Sequence, residues 1–83
     1  MEPKQIKFIE AGADLEHDRW ARWMQYLFSC CKRNPNGSMT IPPSLAQRWE
    51  RQCATKYNDL PENEKESDRK EVRKYLPLLE ERW

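Results

Sequence analysis

Trp20 and Trp23 lie three residues apart, each directly preceded by or close to an arginine, Arg19 and Arg22. A second basic pair, Lys65 and Arg69, lies four residues apart much later in the chain, with Tyr57 upstream of it. An aromatic face stacks a planar ring, and a cation beside it meets an anionic group, so the two together suit a nucleotide-like ligand. His17, one helical turn before Trp20, adds a ring that can donate or accept a hydrogen bond. The candidate ligand-binding set is therefore His17, Arg19, Trp20, Trp23, Tyr57, Lys65 and Arg69. Glu16 and Asp68 have opposite charges close by in sequence and read as members of a structural charge network.

Catalytic chemistry finds no such grouping. A nucleophile needs a base within reach and a group to orient that base. His17 is the only histidine, and the cysteines are a helix length away or on another element. Two glycines in all leave no Gly-rich phosphate loop. Cys30, Cys31 and Cys53 are odd in number, two of them adjacent, with no Cys-x-x-Cys pair, so they read as reduced thiols and not as a disulfide or zinc framework. No catalytic residue, metal site or cofactor is expected.

Totals narrow the partners. The 83 residues carry a net charge of +1. From Glu62 to Lys74 there are five acids and five bases, which leaves no basic stripe to follow a nucleic-acid backbone. The opening "MEPKQIKFIE" has charges where a signal peptide needs an apolar run, and no apolar run reaches membrane-spanning length. The expectation is a cytoplasmic protein with no nucleic-acid or membrane partner. A chain this short is near the lower limit for a self-sufficient core, so a homo-oligomer would add buried surface.

Helices must position the candidate residues. Residues 1–13 read as an N-terminal arm or short helix, with a break allowed at Gly12. Residues 14–83 read as one domain. Its first helix, about Asp14 to Lys32, would bury His17, Trp20, Met24, Leu27 and Cys31, a 3-4-3-4 stripe. "RNPNGSMTIPP" is a loop with a tight turn at Asn36-Gly37. A second helix starts at Ser44, capped with Gln47, and would bury Leu45, Trp49, Gln52 and Cys53. The third runs from about Pro61 to Glu81, with a kink near Pro77. Its apolar stripe is Val72, Leu76, Leu79 and Trp83. Extended backwards, that stripe meets Lys65, Asp68 and Arg69, so a ligand pocket or a charge network is expected where the starts of helices one and three meet. Trp20, Trp23, Trp49 and Tyr57 would gather in one small core. The class is all-α, a compact bundle of three main helices.

The segments "EHDRW" (Glu16 to Trp20) and "YNDLPENEKESDRKEVRKYLPLL" (Tyr57 to Leu79) resemble the RyR domain, the small repeat named for ryanodine receptors and also found in bacterial and phage proteins. His17, Trp20, Tyr57, Leu60, Pro61, Lys65, Asp68, Arg69, Val72 and Pro77 carry the match. Between the motifs the chain has its own helix and Trp49 in place of the Gly-Trp-x-Tyr-Gly segment usual in that family. The resemblance implies a helical, non-catalytic module that binds a small anionic ligand such as a cyclic dinucleotide or an ADP-ribose derivative. A free-standing version would sequester such a messenger, as a phage anti-defence protein in a host cytoplasm would. The alternative is a protein-interaction adaptor with no small ligand.

Overall fold

The computed structural model describes residues 2–80. The class is the one the sequence implies, all-α with three main helices: α1 (Pro3–Cys30), α2 (Pro43–Ala54) and α3 (Glu62–Arg73). A short α4 (Leu76–Glu80) follows α3. No helix is long and apolar enough to cross a membrane, among the described residues.

The first helix begins eleven residues before the expected Asp14 and runs through Gly12 unbroken. Pro3 opens it, where a missing amide donor costs nothing. Gln5 Oε1 accepts from the Glu2 N–H at 2.9 Å. Ala11 and Ala13 flank Gly12 with the best helix former, which offsets the glycine's weak propensity. Residues 1–13 are thus no separate element from Pro3 onward: the arm is the first part of α1. At 1.5 Å per residue α1 is about 42 Å long, most of the molecule's 49 Å length.

Gly12 is the one buried residue among those described. A Cβ there would lie 3.6 Å from Tyr75 Cε1, ordinary contact distance. Gly12→Ala should therefore raise stability by up to about 1 kcal/mol, since it removes the backbone-entropy penalty without a clash. A lowered melting temperature would show that the Tyr75 ring cannot tolerate the methyl.

Cys31 ends α1, and the chain turns through a two-residue antiparallel ladder, β1 (Lys32–Arg33) with β2 (Met39–Thr40), in register Lys32↔Thr40. The tight turn falls where expected. The Gly37 N–H donates to Asn34 O at 3.0 Å, and Gly37 sits at φ +89°, where a side chain would be strained. Asn34 Nδ2 ties the two arms of the turn by donating to Ser38 Oγ and Thr40 Oγ1.

The second helix starts one residue before Ser44, at Pro43, and Pro42 is its cap. No side-chain cap bond forms, so the Ser44–Gln47 box is not the start signal; the fixed φ of two prolines is. α3 stops at Arg73, and a turn at Lys74–Tyr75 leads into α4. That break is the one Pro77 predicts, because its ring nitrogen cannot donate back to the carbonyl of Arg73. The rest of the third element's expected span, at Glu81, lies outside the described residues.

Packing is held by a few contacts rather than by an interior. No hydrophobic side chain is fully buried among the described residues. The radius of gyration is 17.0 Å, against about 12 Å for an 83-residue globule. Trp49 of α2 meets Trp23 and Tyr26 of α1 edge-on, with ring centroids at 5.4 and 6.5 Å. Arg22 of α1 pairs through both guanidinium nitrogens with Glu71 of α3, at 3.2 and 2.8 Å. Arg51 of α2 reaches Glu64 of α3 at 2.7 Å. Tyr75 donates to Glu16 at 2.6 Å. Glu16 and Arg22 thus face Tyr75 and Glu71 in reverse order, so α1 and α3 run antiparallel.

Candidate functional site

One side of α3 carries Leu60, Asn63, Glu64, Ser67, Asp68 and Glu71, at steps of three and four. Facing it are Trp20, Trp23 and Tyr26 of α1, with Trp49 of α2 between them. These walls enclose an open cleft of about 920 Å³. Arg19 and Arg22 on α1, with Arg48 on α2, add positive charge, while Glu16, Glu64, Asp68 and Glu71 add negative charge.

The inward side of α3 is not the one its hydropathy marks. Val72 is 67 % exposed and Leu79 75 %, and Leu76 is exposed beside them. Trp83, the last member of that stripe, lies outside the described residues. The side facing α1 and α2 is polar because ion pairs and hydrogen bonds hold it there. Hydropathy periodicity assumes that burial is driven by apolar area, so here it selects the outer face. The same holds on α1, where His17 and Trp20 of the expected buried stripe are exposed and Met24, Leu27 and Cys31 are half-buried.

The candidate residues divide into two groups. Arg19, Trp20 and Trp23 line the cleft, together with Glu16 and Asp68. His17 sits at its edge, tilted against the Trp20 ring at 6.0 Å. Tyr57, Lys65 and Arg69 are on the other side of α3. Lys65 Nζ lies 5.7 Å from the centre of the Tyr57 ring, and Arg69 pairs with Glu62 and Glu66. Tyr57 therefore does not join Trp20, Trp23 and Trp49 in one core, and Glu16 meets the end of α3 rather than its start. Sequence reasoning missed Tyr26 and Arg48 as wall residues. The signal for Arg48 was its place beside Trp49.

Charges in the cleft are unevenly engaged. Glu16 accepts from both Tyr75 and Arg19, and these bonds hold its carboxyl below the usual range. The bond to Glu16 in turn raises the Tyr75 hydroxyl. Glu71, bound first by Arg22 and then by Lys74, is held down to about 2. Asp68 and Arg48 have no ion-pair partner among the described residues. Glu64 Oε2 accepts from Arg51, but Oε1 is shielded from solvent and has no hydrogen-bond partner among the described residues. A shielded acceptor of this kind is costly unless a donor meets it.

The Glu71 shift has a consequence for acid stability. A carboxyl lowered on folding contributes stability that is complete above its ordinary value of 4.5 and is lost as the pH falls toward 2. Glu71→Gln should cost up to about 1 kcal/mol near neutral pH, since the pair is partly exposed. It should also flatten the fall in melting temperature between those two pH values relative to the unmutated chain. Parallel pH curves for the two proteins would mean that the Arg22–Glu71 pair does not fasten α1 to α3.

The cysteines are free thiols, Cys30 and Cys31 half-buried and Cys53 exposed at the cleft. No group of three His, Cys, Asp or Glu side chains converges on a metal-sized point among the described residues. No family model matches the chain, and it has no match among curated proteins or solved structures. The RyR-like resemblance rests on its motif residues alone.

Proposed function

We propose that this chain is a non-catalytic binding module whose aromatic cleft captures a small, planar, anionic ligand of nucleotide-like chemistry. The observation that carries the reading is the shielded, partnerless Glu64 Oε1 in a cleft walled by Trp20, Trp23, Tyr26 and Trp49. Its volume of about 920 Å³ falls within the range of small-molecule sites. A base stacks on the exposed face of Trp20 or Trp23. Its amino or ring N–H donates to Glu64 Oε1, with Asp68 as a second acceptor. Phosphate oxygens meet Arg48, which has no carboxylate to leave. Arg19 and Arg22 are already engaged by Glu16 and Glu71, and they contribute field rather than direct contact.

Such a module binds and releases without making or breaking a bond. With the RyR-like motifs beside it, the reading extends to a nucleotide-derived messenger, a cyclic dinucleotide or an ADP-ribose derivative, held out of circulation. A phage protein that blunts a host's defence signalling in the cytoplasm would work in this way. Lys65, Arg69 and Tyr57 then serve the module by fixing the start of α3.

A second reading is a protein-interaction adaptor. It draws support from the four carboxylates that share the cleft with three arginines, a mixture better suited to a peptide surface than to a free anion. Thermal-shift and calorimetric titration with mononucleotides, ADP-ribose and cyclic dinucleotides separates the two. A ligand at a hundred times its dissociation constant should add about 2.7 kcal/mol of stability. An unmoved melting temperature across the whole panel at millimolar concentration overturns capture and leaves the adaptor.

A further inference from the structure

A folded monomer of 10.1 kDa exposes about 5,300 Å². This chain exposes 6987 Å². The surplus, about 1,700 Å² per chain, is concentrated in apolar side chains at one end of the molecule. Gly12 and Glu16 of α1 lie against Tyr75, and α4 begins at the next residue. Because α1 and α3 are antiparallel, the part of α1 before Gly12 leaves the body where α4 starts. Ile6, Phe8 and Ile9 are exposed on that arm, and Val72, Leu76 and Leu79 are exposed on α3 and α4.

We propose that this end is the interface of a homodimer, in which the arm of each copy lies on the Val72–Leu76–Leu79 stripe of the other. Three observations favour a second copy over another protein. The deficit belongs to every copy, since no hydrophobic side chain in the described chain is fully buried. Two copies that cover their surpluses remove about 3,400 Å², within the range of obligate homodimers. The two surfaces are also matched as helix seams: Ile6, Ile9 and Ala13 step by three and four, and Val72, Leu76 and Leu79 by four and three. One chain offers both halves of the contact, which is the self-complementarity that a two-fold axis requires. The arm's Lys4 and Lys7 balance its Glu2 and Glu10, so like charge does not oppose the approach. The cleft stays open on another part of the molecule, so the dimer stands independently of what the cleft binds.

Light scattering and sedimentation give the test, because the surface makes a mass prediction. The unmutated chain should weigh twice 10.1 kDa, with a melting temperature that rises with protein concentration. Ile6→Glu with Ile9→Glu should weaken association at least a hundredfold, and so should Leu76→Lys with Leu79→Lys. Mixing these two variants should restore a dimer, since the mixed pair keeps one unmutated contact and sets acid on base in the other. That rescue guards against simple misfolding of either variant, and circular dichroism follows helicity throughout. A monomeric unmutated chain overturns the proposal and assigns the face to a different protein. Dimers that survive both double substitutions, or monomeric variants that do not rescue each other, overturn the arm-on-stripe contact. Trp20→Ala, in the cleft, should leave the mass unchanged.

Discussion

Trp49→Ala lowers stability by about 2 kcal/mol, while Trp20→Ala costs only about 0.5 kcal/mol. Both remove the same side chain. The difference lies in what each ring touches. Trp49 is half-buried and meets Trp23 and Tyr26 edge-on, and this aromatic cluster joins α2 to α1. Edge-to-face pairs add about 0.5–1.5 kcal/mol beyond the area they bury. Trp20 is 59 % exposed, with only the His17 ring close to it. Urea unfolding at one fixed protein concentration measures both, and an unchanged slope with a shifted midpoint identifies a stability effect. Equal midpoints for the two variants would mean that α2 is held by Arg51–Glu64 instead.

Ligand capture reverses that order. Trp20→Ala and Arg48→Ala should each weaken binding by about ten- to a hundredfold, the scale of a lost stacking face or a lost charge-assisted phosphate contact. Lys65→Ala and Arg69→Ala, on the far side of α3, should change affinity by less than about threefold. Arg48→Lys should recover part of the loss, because it keeps the charge but not the planar fork. Raised salt should weaken binding, since part of the attraction is between charges. Calorimetric titration of the five proteins against the best ligand of the panel is the measurement. If Lys65→Ala and Arg69→Ala carry the loss instead, the site is beside Tyr57, and the cleft is only a gap between helices.

The parts of the fold that were legible in the sequence are those set by backbone chemistry. Pro77 predicts the break at Lys74–Tyr75, and Asn34 to Gly37 predicts the turn, because proline and glycine act on dihedrals whatever surrounds them. Gly12 misled for a related reason. Its freedom to break a helix is real, but Ala11, Ala13 and the close Tyr75 ring make the helical state the better one. The apolar stripes misled more deeply. Val72, Leu76 and Leu79 have the spacing of a buried face, yet α3 turns Glu64, Asp68 and Glu71 inward. Periodicity reports which residues share a face and does not say what that face meets. A stripe waiting for a second chain looks the same as one buried within its own.

The candidate site was half legible. Trp20, Trp23 and Arg19 line the cleft because they share one side of α1 near its middle. Lys65 and Arg69 were grouped with them through a motif in which Asp68 is their neighbour. One residue is 100° on a helix, however, so Asp68 faces the cleft while Arg69 faces Glu62 and Glu66.

An interior without fully buried apolar side chains also fixes how the isolated chain responds to temperature. Unfolding usually raises the heat capacity by about 12–15 cal/mol/K per residue, mostly through apolar surface newly exposed to water. Here much of that surface is wet before unfolding begins. The single chain therefore has a small heat-capacity increment, a shallow stability curve and a broad melting transition. Steep, cooperative calorimetric melting belongs to the state in which the arm and stripe have been dried.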